Sequence, residues 1–336
     1  MKKAVMISLL SLAIVTGCTS KEQQSSNKET STGYPVTVQN FTRAEGAESW
    51  QEKEQTFDKV PEKVLANTRP AAELLLHLGL KDKIAGVGAV FGAPDTAVEK
   101  DFDQLNQLSE DYIGKEMALS VDPDLVYGRG GLFDNQDWGV GTVDSLNEMG
   151  INTFVLNSSV TGGTFDSVYD DIDNLGKVFN VADKADAFKN ELKERQKTLE
   201  TKLEKIKDDR TFAYIHTTDP NELYVYPAHN ETFFNDIFTM VKLDNVFKDE
   251  KGEVSVEKLI ETDPDVLILA DWSSTKDGMT GEKMLEGIMN NAKLSSMQAI
   301  KNKQVYTMDY NYMFGYGYQS LDGIEKLADE MYPENE

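Results

Sequence analysis

After Pro61 short runs of apolar residues alternate with stretches in which apolar residues recur at helical spacing. Val64-Leu65-Ala66, Ile84 to Val90, Pro123 to Tyr127 and Asn152 to Leu156 predict four buried strands. Largely apolar runs of this kind suit buried strands. Between the first two, Pro70 stands at a helix start, and Ala71 to Leu78 predicts a helix that ends at Gly79. Between the last two, Thr142 to Met149 predicts another, stopped at Gly150 by a left-handed cap. The pattern restarts at Phe212 to Ile215, and Leu223 to Tyr226, Val266 to Leu269 and Gln304 to Met308 predict further strands before a closing helix over Leu321 to Met331. Strand and helix in alternation predict an α/β fold with mostly parallel sheets flanked by helices.

The stretch from Asp183 to Lys207 differs, with no Gly or Pro and abundant Lys and Glu. Phe188, Leu192, Leu199, Leu203 and Ile206 share one stripe. Such a helix is about 37 Å long at about 1.5 Å per residue, enough to cross a two-lobed molecule. The folded part exceeds one comfortable core. The reading is therefore an N-terminal lobe over 56–182, a connecting helix over 183–207 and a C-terminal lobe over 208–336, with a ligand cleft between the lobes. A single long helix between the lobes implies limited hinge motion.

Two segments repeat one arrangement. Glu116-Met-Ala-Leu-Ser-Val precedes Asp122-Pro123-Asp124-Leu125-Val126, and Glu257-Lys-Leu-Ile-Glu-Thr precedes Asp263-Pro264-Asp265-Val266-Leu267. In each, a Glu opens a short helix, Asp-Pro-Asp stops it because proline removes a donor and disfavours helix before it, and a buried strand follows. A carboxylate in a first helical turn is favoured by the helix dipole and stays at the surface. Two matched exposed acids on two similar lobes suit docking onto a two-fold partner.

The N-terminus adds a location. Met1-Lys2-Lys3, an apolar stretch from Ala4 to Val15 too short to span a bilayer, and Val15-Thr16-Gly17-Cys18 resemble a bacterial lipoprotein signal over residues 1–17. That resemblance implies diacylation of Cys18, the only cysteine, and an extracytoplasmic, membrane-anchored protein. Residues 18–55 are rich in Ser, Gln, Glu, Lys and Thr and read as a lipidated flexible tether, with Val36 to Phe41 as one edge strand. The chain carries 34 basic and 58 acidic residues, a net charge of −24. Loss of Lys2 and Lys3 with the signal deepens that to −26. Such acidity argues against nucleic acid and against direct adsorption on anionic lipid, which leaves the lipid as the anchor.

Together these features resemble the substrate-binding lipoproteins of bacterial ABC importers that serve ferric siderophores, haem and cobalamin. The resemblance spans about Lys59 to Pro333. It rests on Pro61-Glu-Lys-Val-Leu, Glu73-Leu-Leu-x-x-Leu-Gly79, Ile84-Ala-Gly-Val-Gly88, both Glu and Asp-Pro-Asp segments, the long helix, Asn230-Glu-Thr-Phe-Phe-Asn-Asp-Ile237 and Ala299-Ile-Lys-Asn-Lys-Gln-Val-Tyr306. It implies that Glu116 and Glu257 dock onto a dimeric permease served by cytoplasmic ATPase subunits. It also implies that the cargo is a small-molecule metal chelate, in the first place a ferric siderophore, with haem or cobalamin as the alternative.

In such a fold the ligand contacts come from loops at strand ends facing the cleft. Arg69 and Arg129 directly follow predicted strands, and their guanidinium forks suit the oxygens of a chelator. Trp272, Tyr226, His229, Tyr310 and Tyr312 supply aromatic and amphipathic walls from the second lobe. A bare metal site is not expected, because the only histidines are His77, His216 and His229. No catalytic residue, resident cofactor or enzymatic function is expected either: the chain has no Gly-x-Ser-x-Gly, His-Glu-x-x-His, Walker or dinucleotide motif. A lipoprotein hydrolase is the reading outside this class.

Overall fold

A computed structural model describes residues 33–333 apart from 48, 208, 276 and 277. The signal segment, Cys18 and the tether as far as residue 32 lie outside the described residues.

The first element is an antiparallel hairpin of β1 (Val36–Thr42) and β2 (Gln51–Phe57), paired from Val36 opposite Phe57 to Thr42 opposite Gln51. The expected tether over 18–55 therefore gives way, by residue 36, to folded chain. Only Phe57 of β2 is fully buried, so its run of Gln, Glu and Lys reads as linker although it is strand. Buried Asn40 fastens the hairpin. Its Nδ2 donates to the Thr153 carbonyl (3.0 Å) and its Oδ1 accepts from the Val155 amide (2.8 Å). A side-chain amide here covers backbone groups that an edge strand otherwise leaves unpaired.

The N-terminal lobe holds β3 (Val64–Ala66), β4 (Ile84–Val87), β5 (Leu125–Gly128) and β6 (Asn152–Val155), all parallel, in the order β4-β3-β5-β6. The C-terminal lobe holds β7 (Arg210–Ile215), β8 (Leu243–Asn245), β9 (Val266–Asp271) and β10 (Val305–Asp309), also parallel, in the matching order β8-β7-β9-β10. The strand expected over Leu223 to Tyr226 is reduced to two isolated antiparallel bridges at Val225, one to Ile215 and one to Val254. Pro227 ends that segment, and the edge position falls instead to β8, whose Asp244 masks it in sequence.

The repeat falls at equivalent places, just before β5 and β9. Glu116 and Glu257 are exposed in the first turns of helices Lys115–Leu119 and Val256–Thr262. Asp122 (φ 51°) and Asp263 (φ 46°) both take the left-handed conformation ahead of their prolines. The second aspartate of each triplet then ties down the start of the neighbouring strand. Asp124 accepts from the amides of Glu62 and Lys63, and Asp265 from the amide and hydroxyl of Thr211.

The long helix runs Ala182–Leu203 and buries Ala185, Phe188, Leu192, Leu199 and Leu203. It touches both lobes. Gln196 accepts from the Tyr169 hydroxyl (2.7 Å) on helix Phe165–Val178, and Arg195 pairs with Glu325 (2.6 Å) and Asp322 on the closing helix Ser320–Met331. One hydrophobic core runs through the inner layers of both lobes and this helix, from Leu75 and Tyr127 through Phe188 to Tyr214, Phe314 and Leu327. Each lobe adds a separate outer core.

Candidate functional site

Loops of both lobes enclose a cavity of about 500 Å³. Phe91, Glu110, Asp111, Tyr112 and Trp138 line it from the N-terminal lobe, and His216, Trp272, Thr275 and Tyr310 from the C-terminal lobe.

The aromatic walls are held in place. β9 leads directly into Trp272, whose indole N–H donates to the Thr217 carbonyl (2.7 Å). Asp309 ends β10 and caps helix Tyr310–Phe314 by accepting from the Asn311 amide, which sets Tyr310 flat against Trp272 (5.2 Å between centroids, 24°). His216 meets the edge of Trp272 at 5.2 Å and shares a 2.9 Å hydrogen bond with the Tyr214 hydroxyl. Burial holds the His216 imidazole down at about 4, so it is neutral at neutral pH. Opposite, Phe91 packs edge-on against Tyr112 (5.4 Å). The Phe91 carbonyl accepts from Asn311 of the other lobe (2.7 Å). Gly92 (φ +104°) is required beside it, because a Cβ there would stand 1.6 Å from the Asn311 Nδ2.

Arg129 joins the two walls. It follows β5, and the Asn67 side chain brackets its backbone, accepting from its N–H (2.9 Å) and donating to its carbonyl (3.0 Å). Its Nη1 donates to the hydroxyls of Tyr112 (3.1 Å) and Tyr310 (3.3 Å), one from each lobe, and its guanidinium lies over the Tyr316 ring at 5.0 Å. Burial pushes the Tyr112 hydroxyl up. Burial acts on Tyr310 in the same sense, but the guanidinium outweighs it and holds that hydroxyl below the ordinary tyrosine value.

Of the sequence-predicted ligand residues, Trp272 and Tyr310 line this cavity and Arg129 lies against it. The other four are elsewhere. Arg69 is spent on structure: it pairs with Glu73 (3.1 Å), donates to the Val90 carbonyl (2.7 Å) and stacks 4.0 Å from the Phe102 ring. Tyr226 packs against Tyr214, Phe234 and Phe314, with its hydroxyl on Glu231 (2.8 Å). His229 is half-buried and outside the cavity. Tyr312 lines a separate cavity of about 350 Å³ beside Asp271 and Asp309.

Phe91 lines the cavity from the loop Ala89-Val90-Phe91-Gly92, one of the strand-end loops expected to face the cleft, whereas Tyr112, Trp138 and His216 line it without having been expected as ligand residues. Tyr112 and Trp138 sit in acid-rich loops, Ser109-Glu-Asp-Tyr112 and Asp134-Asn-Gln-Asp-Trp138, away from strand ends. Trp138 is 44% exposed. A large aromatic stranded in an acidic loop is the signal that marks it. The acids Glu110 and Asp111 are exposed at the mouth.

A polar clasp lies at the base, where the chain from Tyr316 onward returns to the N-terminal lobe. Buried Glu73 accepts from Arg69 and from Gln319 Nε2 (2.8 Å), and burial raises it to about 7 against the pull of Arg69. Asp95 accepts from His77 (2.7 Å) and the Tyr318 hydroxyl (2.6 Å). Burial opposes its charge, but these bonds prevail and hold Asp95 at about 2.

The family model described as periplasmic binding protein matches residues 65–312. The chain is 23% identical over 332 residues to the uncharacterized ABC transporter substrate-binding lipoprotein YvrC of Bacillus subtilis, covering 97% of this chain and 95% of that one. Its fold is similar to that of a periplasmic binding protein from Veillonella parvula (TM-score 0.76, 20% identity, 88% of this chain and 98% of that one). It is also similar to an ABC-type Fe3+-hydroxamate transport system structure from Saccharomonospora viridis (TM-score 0.69, 24% identity, 89% and 99%).

Proposed function

The chain belongs to the periplasmic binding protein family, and from that premise we propose that it is the extracytoplasmic, lipid-anchored receptor of an ABC importer. It captures a metal chelate between its lobes and delivers it to a permease dimer driven by cytoplasmic ATPase subunits. The cargo is a ferric siderophore of the neutral or cationic hydroxamate class.

One observation carries this reading: aromatic walls from both lobes face each other across a cavity whose charged lining groups, among the described residues, are the acids Glu110 and Asp111. Aromatic faces bury the apolar skirt of a chelate. Acids at the mouth disfavour a cargo of net negative charge. Hydroxamates of single charge neutralise ferric iron, whereas catecholates leave the complex strongly anionic. Haem fits less well, because its propionates would face the same two acids. Cobalamin is the second reading, favoured by the flat Trp272–Tyr310 stack as a surface for a macrocycle.

Tryptophan fluorescence titration tests the proposal, since two of the three tryptophans, Trp138 and Trp272, line the cavity. The panel is a ferric trishydroxamate, a ferric tricatecholate, haem and cobalamin. Saturable quenching by the trishydroxamate, absent or far weaker with the tricatecholate, is expected. Tight binding of the tricatecholate alone sinks the charge argument, and a response to cobalamin alone moves the assignment to the second reading.

A further inference from the structure

A second compartment, of about 210 Å³, opens between the lobes beside Arg129. Its lining is polar where that of the first cavity is aromatic. Arg43 and Trp50 come from the turn end of the β1–β2 hairpin, Ser159 and Thr161 from the N-terminal lobe, and Asn230 and Glu231 from the C-terminal lobe. The hairpin precedes residue 65, where the family match begins, so part of this compartment is built by chain outside the family pattern.

The hydrogen-bonding groups around it are unbalanced toward donors. Arg129 spends Nη1 on two tyrosine hydroxyls, its Nε is buried without a partner, and no carboxylate pairs with it among the described residues. Arg129 and Gly131 both line the compartment, and a Cβ on Gly131 would stand 3.8 Å from that Nε. Arg43 is held over the Trp50 ring at 4.9 Å and pairs with Asp134 (3.2 Å). The acceptor side is already occupied: Glu231 takes the hydroxyls of Tyr226 and Tyr316, each at 2.8 Å. A partly desolvated guanidinium without an anion is costly, and a carboxylate or phosphate matches its fork.

We propose that this compartment is an oxyanion site, holding one carboxylate or monoanionic phosphate group against Arg129 and Arg43. The group is either a free anion or a pendant arm of the chelate in the neighbouring cavity; the second source rests on the chelate reading above, and the first does not. The Glu231 carboxylate limits the charge the site accepts, which favours a singly charged group over a multiply charged one.

Trp50 is a built-in reporter. In the full chain carrying Trp138→Phe and Trp272→Phe it is the only tryptophan. Titration of that variant with inorganic phosphate and with acetate tests the free-anion source: a saturable change in Trp50 emission is expected. For the pendant arm, unsubstituted protein is titrated with two ferric trishydroxamates that carry the same amine, one also bearing a free carboxylate and one not, so that neither complex is net anionic; tighter binding of the first is expected. Either gain is expected to fall about tenfold with Arg43→Gln, the size of effect typical of a lost charge-assisted contact. Asn230→Gly is the second variant. Asn230 is exposed with φ 67°, where glycine carries no strain, and loss of its amide is expected to weaken binding without disturbing the Arg43–Asp134 pair. The proposal is overturned if no anion moves Trp50 and the two chelates bind alike, or if both variants leave the responses unchanged. Failure of the chelate reading looks different: Trp50 still answers to phosphate or acetate, while Trp138 and Trp272 stay silent to every chelate.

Discussion

Replacing Asp171 with asparagine should remove a large pH dependence of stability. Asp171 is 1% exposed on helix Phe165–Val178, and no basic side chain pairs with it among the described residues. Its Oδ1 accepts from the Asn157 amide (2.7 Å), and its Oδ2 lies 2.8 Å from the Ser158 Oγ and 3.1 Å from the Ser158 amide. The same Ser158 Oγ lies 2.6 Å from the Tyr316 carbonyl oxygen in the other lobe. A hydroxyl has one proton to donate. If Ser158 gives it to Tyr316, Asp171 must bring its own proton and donate to Ser158. If Asp171 is ionised, Ser158 turns to it, and two oxygens face each other across the lobe boundary with no proton between them.

Burial pushes Asp171 from 3.8 to about 7, against the hydrogen bonds from Ser158 and Asn157 and with help from Asp170. Tyr127, Tyr316 and Tyr318 are the other titratable groups lining the small cavity around it. About three pKa units at about 1.4 kcal/mol each is roughly 4 kcal/mol of preference for the neutral form. A carboxyl raised in the folded state contributes stability that is complete below about pH 4 and is lost as pH rises toward about 7. An asparagine keeps a donor for Ser158 Oγ and an acceptor for Asn157, but it cannot accept from the Ser158 amide, at a cost of about 1 kcal/mol. Urea unfolding of both proteins is the assay. The stability difference, original minus Asp171→Asn, should fall by roughly 3 kcal/mol between about pH 5 and pH 8, leaving the variant the more stable at the upper end. Taking the difference cancels the parallel titration of Glu73, which is likewise raised to about 7. A flat difference across that window would mean that Asp171 stays ionised with Ser158 committed to it, and would refute the proton count.

Glu116→Ala and Glu257→Ala should leave chelate affinity within about twofold, under about 0.4 kcal/mol, while uptake into cells falls and the double variant is worst; lost binding would place these acids in the cleft instead. Small-angle scattering with and without chelate should show little change in radius of gyration, because the Glu73–Gln319 and Asp95–Tyr318 bonds reinforce the long helix; a large compaction would refute the stiff hinge. Cys18→Ser should release the protein from the membrane or leave its signal unprocessed, and a variant that is still processed and membrane-bound would end the lipobox reading.

Much of the fold is legible in the chain because its determinants are local. Val64 to Ala66 and Val266 to Leu269 are apolar without interruption since each strand is buried on both faces, and all of these residues are fully buried. The long helix announces itself through one stripe and the lack of Gly and Pro. The Asp-Pro-Asp repeat marks the same place in both sheets, because proline and a left-handed aspartate impose the same turn wherever they occur. Failures fall where burial is partial. β2 exposes most of its side chains, β8 is three residues long with an aspartate in its middle, and Leu223 to Tyr226 has strand composition but pairs only through two isolated bridges at Val225.

The candidate site was legible only where a strand leads straight into it. Trp272, Tyr310 and Arg129 follow β9, β10 and β5 directly, so predicting the strands placed them. Arg69 follows β3 after two residues, yet it faces Glu73 four residues along its own helix and Phe102 from another segment, and only tertiary packing puts Phe102 there. Tyr112 and Trp138 reach the cavity from irregular loops that no periodicity locates. The sequence by itself determined the α/β class, the twofold repeat and the long connecting helix, because periodicity and turn chemistry act over a few residues. The tertiary structure decided which rings face across the cleft, which arginine is free of a carboxylate and where the C-terminal segment clasps the first lobe, because each depends on side chains brought together from distant parts of the chain.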